Sequence, residues 1–183
     1  VSHEQESQLF ALKDFKFVAL KRICLLASLL LVSACYPTYN WRELPVADGL
    51  ATLAFPAKVD TVKRDLDLAG MPVTFVLTST DVNDVVFSIG WAQLPLQSTP
   101  EQRQSAQRLL VDSLAATVSQ PAPTDAYAGE VFRLESNRDG RSLAMVAKVL
   151  VHYDIVMRVV ATGPPDLLTE ELQTEFMRSL KLR

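Results

Sequence analysis

Cysteine and histidine are scarce in this sequence, with two of each in 183 residues. Two cysteines cannot build a disulfide-stapled scaffold or a four-cysteine zinc site. No Gly-x-Ser-x-Gly elbow, paired-histidine metal motif or phosphate loop appears anywhere. An excess of positive charge is missing too. With 18 basic against 21 acidic residues and a net charge of −3, no broad electrostatic footprint invites nucleic acid. There is no internal repeat. What the chain does have is 49% hydrophobic residues and 21% charged ones, which argues against wholesale disorder. Its length suits one domain of roughly 100–150 residues plus a terminal segment.

That segment is legible near the amino terminus. Lys21-Arg22 precedes the uncharged run Ile23 to Val32, which is followed by Ser33-Ala34-Cys35. A basic start, a short apolar core and a small-residue exit form the secretory signal pattern. At 1.5 Å per residue, ten to twelve apolar residues reach about 15–18 Å, short of a roughly 30 Å hydrocarbon core. A spanning helix fits poorly for that reason, and a buried core helix leaves the small-small-Cys step unexplained. The residues divide into a leader at 1–17, a signal peptide at 18–34, Cys35 with a tether to residue 47, and a domain at 48–183. The leader carries His3, Glu4, Glu6 and Asp14, which are unusual in a signal. Either translation starts near Val18 or Leu20, or the basic region is long and includes Lys13 and Lys16.

Val32-Ser33-Ala34-Cys35 resembles a bacterial lipobox, the site of lipoprotein signal peptidase. The resemblance implies cleavage between Ala34 and Cys35, thioether-linked diacylglycerol on Cys35 and a further acyl chain, palmitate in type, on the new amino terminus. Each buried methylene contributes about 0.8 kcal/mol, so two or three chains hold far more firmly than one. Tyr36, rather than Asp, after the modified cysteine resembles lipoproteins sorted to the outer membrane, with the domain facing the periplasm. The membrane is then one partner, through lipid on Cys35, and an envelope protein of unknown identity another. Cys24 is lost with the signal, leaving no disulfide and no free thiol. Lys13, Lys16, Lys21 and Arg22 are lost with Glu4, Glu6 and Asp14, so the chain from Cys35 onward carries a net charge of −4.

Beyond the tether the pattern alternates between strand and helix periods. Leu50–Phe55, Val59–Leu68, Pro72–Thr78 and Val85–Ala92 read as four strands joined by short turns in an antiparallel meander. Thr99-Pro100-Glu101-Gln102 combines an N-cap, a proline at the first helical position and a capping-box glutamine. Ala106, Leu109, Leu110, Leu114 and Val118 then recur at helical spacing as core positions. Asp139-Gly140 between apolar runs marks a hairpin. Ser142–Thr162 divides into two strands, with a turn expected near Val149–His152. Leu168, Leu172, Phe176 and Leu180 form an apolar stripe on a closing helix, acidic at its start and basic at its end. The sum is an α+β fold, an antiparallel sheet of about seven strands covered by two helices.

The Phe55-Pro56 strand end, the long central helix, the Arg141…Tyr153 strand pair and the closing Phe176-Met177-Arg178-Ser179-Leu180-Lys181-Leu182 resemble bacterial PsbP-like proteins. These are αβα sandwiches related in fold to the extrinsic P subunit of plant photosystem II. The resemblance implies a binding or scaffolding domain without a shared catalytic constellation, and no cofactor.

One pair of residues offers an enzymatic alternative. His152 and Asp154 share a face if both lie in one strand, as a base with its orienting carboxylate or as two metal ligands. Lacking a third member, they read better as a polar surface pair. Asp60, Asp65, Asp67, Asp81 and Asp84 lack the tight spacing and glycine of a calcium loop and read as a solvated face. A third alternative, a carrier of small apolar ligands, requires a cavity between sheet and helices.

Overall fold

The computed structural model describes residues 38–138 and 140–183. The leader, the signal segment, Ala34, Cys35 and the hairpin residue Asp139 lie outside the described residues. The strands are β1 (Arg42–Val46), β2 (Ala51–Phe55), β3 (Asp60–Leu68), β4 (Met71–Val82), β5 (Val85–Gln93), β6 (Phe132–Arg138), β7 (Arg141–His152), β8 (Ile155–Gly163) and β9 (Lys181–Leu182). The helices are α1 (Pro100–Thr117) and α2 (Glu170–Arg178). Among the described residues no helix is long and apolar enough to cross a membrane.

Two antiparallel meanders, β3-β4-β5 and β6-β7-β8, join back to back through β5 and β8 into one six-stranded sheet, ordered β3-β4-β5-β8-β7-β6. Helix α1 makes the crossover between them and lies on one face, over β7 and β8. The other face is covered jointly by α2 and a separate three-stranded sheet, ordered β1-β2-β9. The expected fold class is therefore the one found. The expected four-strand meander is corrected, because β2 belongs to the small sheet. Two strands were also hidden in the sequence. Arg42-Glu43-Leu44-Pro45-Val46 carries two charges and a proline, and two-residue β9 is too short to show a period. Strand β1 therefore falls within the stretch read as a tether.

Alternation along the strands divides the interior into two cores. Side chains of one parity, including Phe87, Ile89, Met157 and Val159, meet Phe55, Leu172 and Phe176. Those of the other parity, including Val73, Phe75, Ala92 and Val156, meet Ala106, Leu110, Val111 and Leu114 of α1. Trp41 also packs inward, its ring edge-on to Phe87 at 5.8 Å.

The local signals for α1 are realised in full. Thr99 Oγ1 accepts from the Gln102 amide, and Gln102 Oε1 accepts from the Thr99 amide at 2.9 Å. Leu109 is the exception to its apolar ridge, being 46% exposed and not buried as expected. The turn in the long apolar stretch falls at Tyr153-Asp154, later than the Val149–His152 expected from sequence. Tyr153 adopts φ +54°, which costs a non-glycine residue about 1–2 kcal/mol. The surroundings supply what the sequence does not signal. Leu94 N–H donates to the Asp154 carbonyl at 2.7 Å, and Arg103 Nη1 donates to the Tyr153 carbonyl at 3.3 Å.

Candidate functional site

His152 and Asp154 are not brought together as a pair. His152 is the last residue of β7, and its Nε2 lies 2.8 Å from the carbonyl oxygen of Arg183. Asp154 sits in the turn beyond, where its Oδ2 accepts from Gln93 Nε2 at 3.1 Å. The turn directs the two side chains to different partners on different elements. Asp65 and Asp67 are likewise occupied locally, accepting from Thr74 Oγ1 at 2.6 Å and from the Gly70 amide at 2.7 Å. Among the described residues, no group of three or more His, Cys, Asp or Glu side chains is placed to hold a metal ion.

A different feature stands out on the α1 face of the large sheet. Because α1 leans over β7 and β8, the β3–β4 end of that face is left partly uncovered. The gap is a groove of about 480 Å³, within the roughly 300–1,000 Å³ usual for ligand pockets. The strand register explains its lining. Val62 pairs with Leu77, Arg64 with Phe75, Leu66 with Val73 and Leu68 with Met71, so these side chains all project to the same face. Helix α1 contributes Leu109, Leu110 and Ser113 as the opposing wall. Val62 is 49% exposed and Leu66 37%, so edge strand β3 presents apolar side chains to solvent.

Arg158 is the polar centre of this groove. It follows Val156 on β8 at core-facing parity, and Gly90 stands opposite it on β5. Its side chain crosses above Gly90 and stacks its guanidinium over the Phe75 ring, 5.2 Å from the centroid. The Nη1 lies 3.5 Å from Ser113 Oγ, a weak contact at best. No carboxylate forms an ion pair with Arg158 among the described residues, where the ion pairs found are Arg133–Glu135 and Lys181–Glu43. Desolvation lowers the Arg158 pKa from its ordinary value, although a guanidinium remains charged.

Arg158 is not among the residues that the sequence patterns single out. A signal was nevertheless present, since a cation stands between Val156 and Val160 on the buried face of an apolar strand. Leu109 beside Leu110 was the other clue, because both cannot occupy the centre of one helical stripe.

No protein-family model and no curated protein matches the chain. Among solved structures, the chain is similar to cyanobacterial PsbP (CyanoP) from Synechocystis sp. PCC 6803, with a TM-score of 0.43 and 11% sequence identity, over 82% of this chain and 96% of that one.

Proposed function

We propose that the protein is a lipid-anchored, non-catalytic envelope protein that binds a small apolar ligand in the groove between α1 and the β3–β4 end of the sheet. Acyl chains on Cys35 hold it at the outer membrane, with the domain facing the periplasm. The anchor rests on Val32-Ser33-Ala34-Cys35 and the apolar run before it. The observation that carries the binding function is the groove itself, with Leu66, Leu77 and Leu109 exposed to whatever enters. The divergence of His152 and Asp154 counts against the hydrolase alternative, because a base without its orienter is not prepared for proton transfer.

Intact mass and native mass spectrometry test both halves. Protein purified from its native membranes is expected to show the mass of residues 35–183 plus acyl chains, and a Cys35→Ser variant is expected to lose that modification. Native spectra are expected to show a further, non-covalent small-molecule adduct. A full-length unmodified mass overturns the anchor, and an adduct-free spectrum from freshly isolated protein overturns the carrier function.

A further inference from the structure

The groove is not uniformly apolar, and its polarity runs in one direction. Along β3 the lining passes from Val62 and Arg64 to Leu66 and Leu68, a span of about 20 Å at roughly 3.4 Å per residue. Arg158 stands on the rung of Val62, Leu77 and Gly90, and stacks on Phe75, the rung partner of Arg64. Both arginines and Ser113 therefore sit towards one end, and the leucines run on from it. Asp67, the acidic residue in the lining, has Oδ1 engaged by the Gly70 amide. The groove thus offers two guanidinium groups in a chain whose net charge is negative.

A half-buried cation is costly unless a partner of opposite charge compensates it. Stacking on Phe75 offsets part of that cost, but the one side-chain hydrogen-bond contact found for Arg158 among the described residues is the long one to Ser113. We infer that the groove takes a single-chain amphiphile with a carboxylate head, a long-chain fatty acid, whose head lies at Arg158 and Arg64 and whose chain runs along Leu66, Leu68 and Leu109. A carboxylate satisfies guanidinium donors in pairs, and the charge-assisted bonds are about twice as strong as neutral ones. The chain covers the apolar positions that β3 otherwise exposes. The inference rests on the proposed groove-binding function and adds the class of ligand to it.

Photolabelling of the full chain in lipid nanodiscs tests it. The probes are a palmitic-acid analogue with a mid-chain diazirine and the matching alcohol, whose chain is the same and whose head is uncharged. The acid is expected to label peptides containing Leu66 or Leu109, to be displaced by palmitate, and to label on the order of tenfold more efficiently than the alcohol. Arg158→Gln is expected to lower labelling by the acid on the order of tenfold and to leave the alcohol unaffected. Arg64→Gln, at an exposed position whose side chain makes no hydrogen bond or ion pair found among the described residues, is expected to lower it several-fold, so the test survives if the Arg158 variant misfolds. Equal labelling by acid and alcohol, or acid labelling indifferent to Arg64→Gln, overturns the carboxylate head while the groove function stands. Absence of groove labelling by either probe overturns both. Labelling lost on raising protein concentration, with crosslinked dimers in its place, also overturns the inference by showing a second copy of the chain in the groove.

Discussion

Phe75 occupies the space that a side chain on residue 90 would need. A Cβ added to Gly90 would lie 2.5 Å from Cζ of the Phe75 ring and 3.1 Å from Nε of Arg158. Glycine here serves no turn. Its missing side chain lets the Phe75 ring lie across β5 and lets the Arg158 side chain pass above the backbone to reach it. Gly90→Ala is therefore expected to destabilise the domain by about 1–3 kcal/mol, as an overpacked core does, because the buried Phe75 ring must shift from its packed position to make room. A lower urea midpoint at unchanged m-value checks the stability. Labelling of the groove by the acid probe is expected to fall too, since the ring and the guanidinium move together.

The opposite expectation holds at His152. Its contact with the Arg183 carbonyl ties the end of β7 to the chain beyond β9, and Arg183 N–H in turn donates to the Leu50 carbonyl at 2.9 Å. One partly exposed hydrogen bond contributes about 0.5–1.5 kcal/mol. His152→Ala is expected to lower stability by no more than that and to leave groove labelling unchanged. Loss of labelling or of in-cell function in a folded His152→Ala protein would reinstate the enzymatic alternative.

On the other face of the sheet, Phe176 stands at the meeting point of three rings. Its ring is fully buried, with Phe87 at 5.1 Å, Phe55 at 6.1 Å and Trp41 at 6.5 Å between centroids. These contacts join α2, the small sheet, the large sheet and the residue just before β1. Phe176→Ala is expected to cost about 3–5 kcal/mol, a large fraction of the roughly 5–15 kcal/mol that holds a domain folded. Phe176→Leu leaves a smaller cavity and is expected to cost less. Thermal unfolding followed by far-ultraviolet circular dichroism ranks the two. Equal melting temperatures in both variants and the parent would show that the cluster does not hold α2 in place.

These residues also show which parts of the molecule were legible in the sequence. Phe176 was, because a helix that buries one stripe must repeat apolar residues at i and i+4, as Leu172 and Phe176 do, although Leu168 and Leu180 of the expected stripe lie just outside α2. The capping box at Thr99 and the hairpin pairing of β6 with β7 were legible for the same local reason. The Tyr153 turn was not, since its left-handed residue is held by bonds from Leu94 and Arg103, dozens of residues away in the chain. Strand β1 was not, since its pairing with β2 outweighs the proline and charges in it. The groove was hidden for a third reason. Leu66, Leu109 and Arg158 each look ordinary in their own element, and the site exists only because the register of β3–β4 and the lean of α1 bring them to one place.

Helix α1 forms one wall of that place, so its amino-terminal cap bears on stability and on the site together. The Thr99 hydroxyl accepts the Gln102 amide. The Thr99 side chain is also the main cause of a Glu101 pKa below the ordinary 4.5, with a smaller contribution from the Glu101 backbone amide. Thr99→Ala removes the hydroxyl from both roles. Loss of a threonine cap costs about 1 kcal/mol, and a correspondingly lower urea midpoint is expected at neutral pH. The Glu101 contribution has a definite sign. A carboxyl whose pKa is lower in the folded state adds stability above its unfolded pKa, and that stability is lost as pH falls through the lowered folded value. The deficit of Thr99→Ala relative to the parent is therefore expected to be larger at neutral pH than in acid below the Glu101 pKa. Carboxyl titration by NMR should show the Glu101 pKa rising towards 4.5 in the variant. A Glu101 titration unchanged by Thr99→Ala would show that the helix terminus, and not the threonine hydroxyl, holds that carboxylate in its charged form.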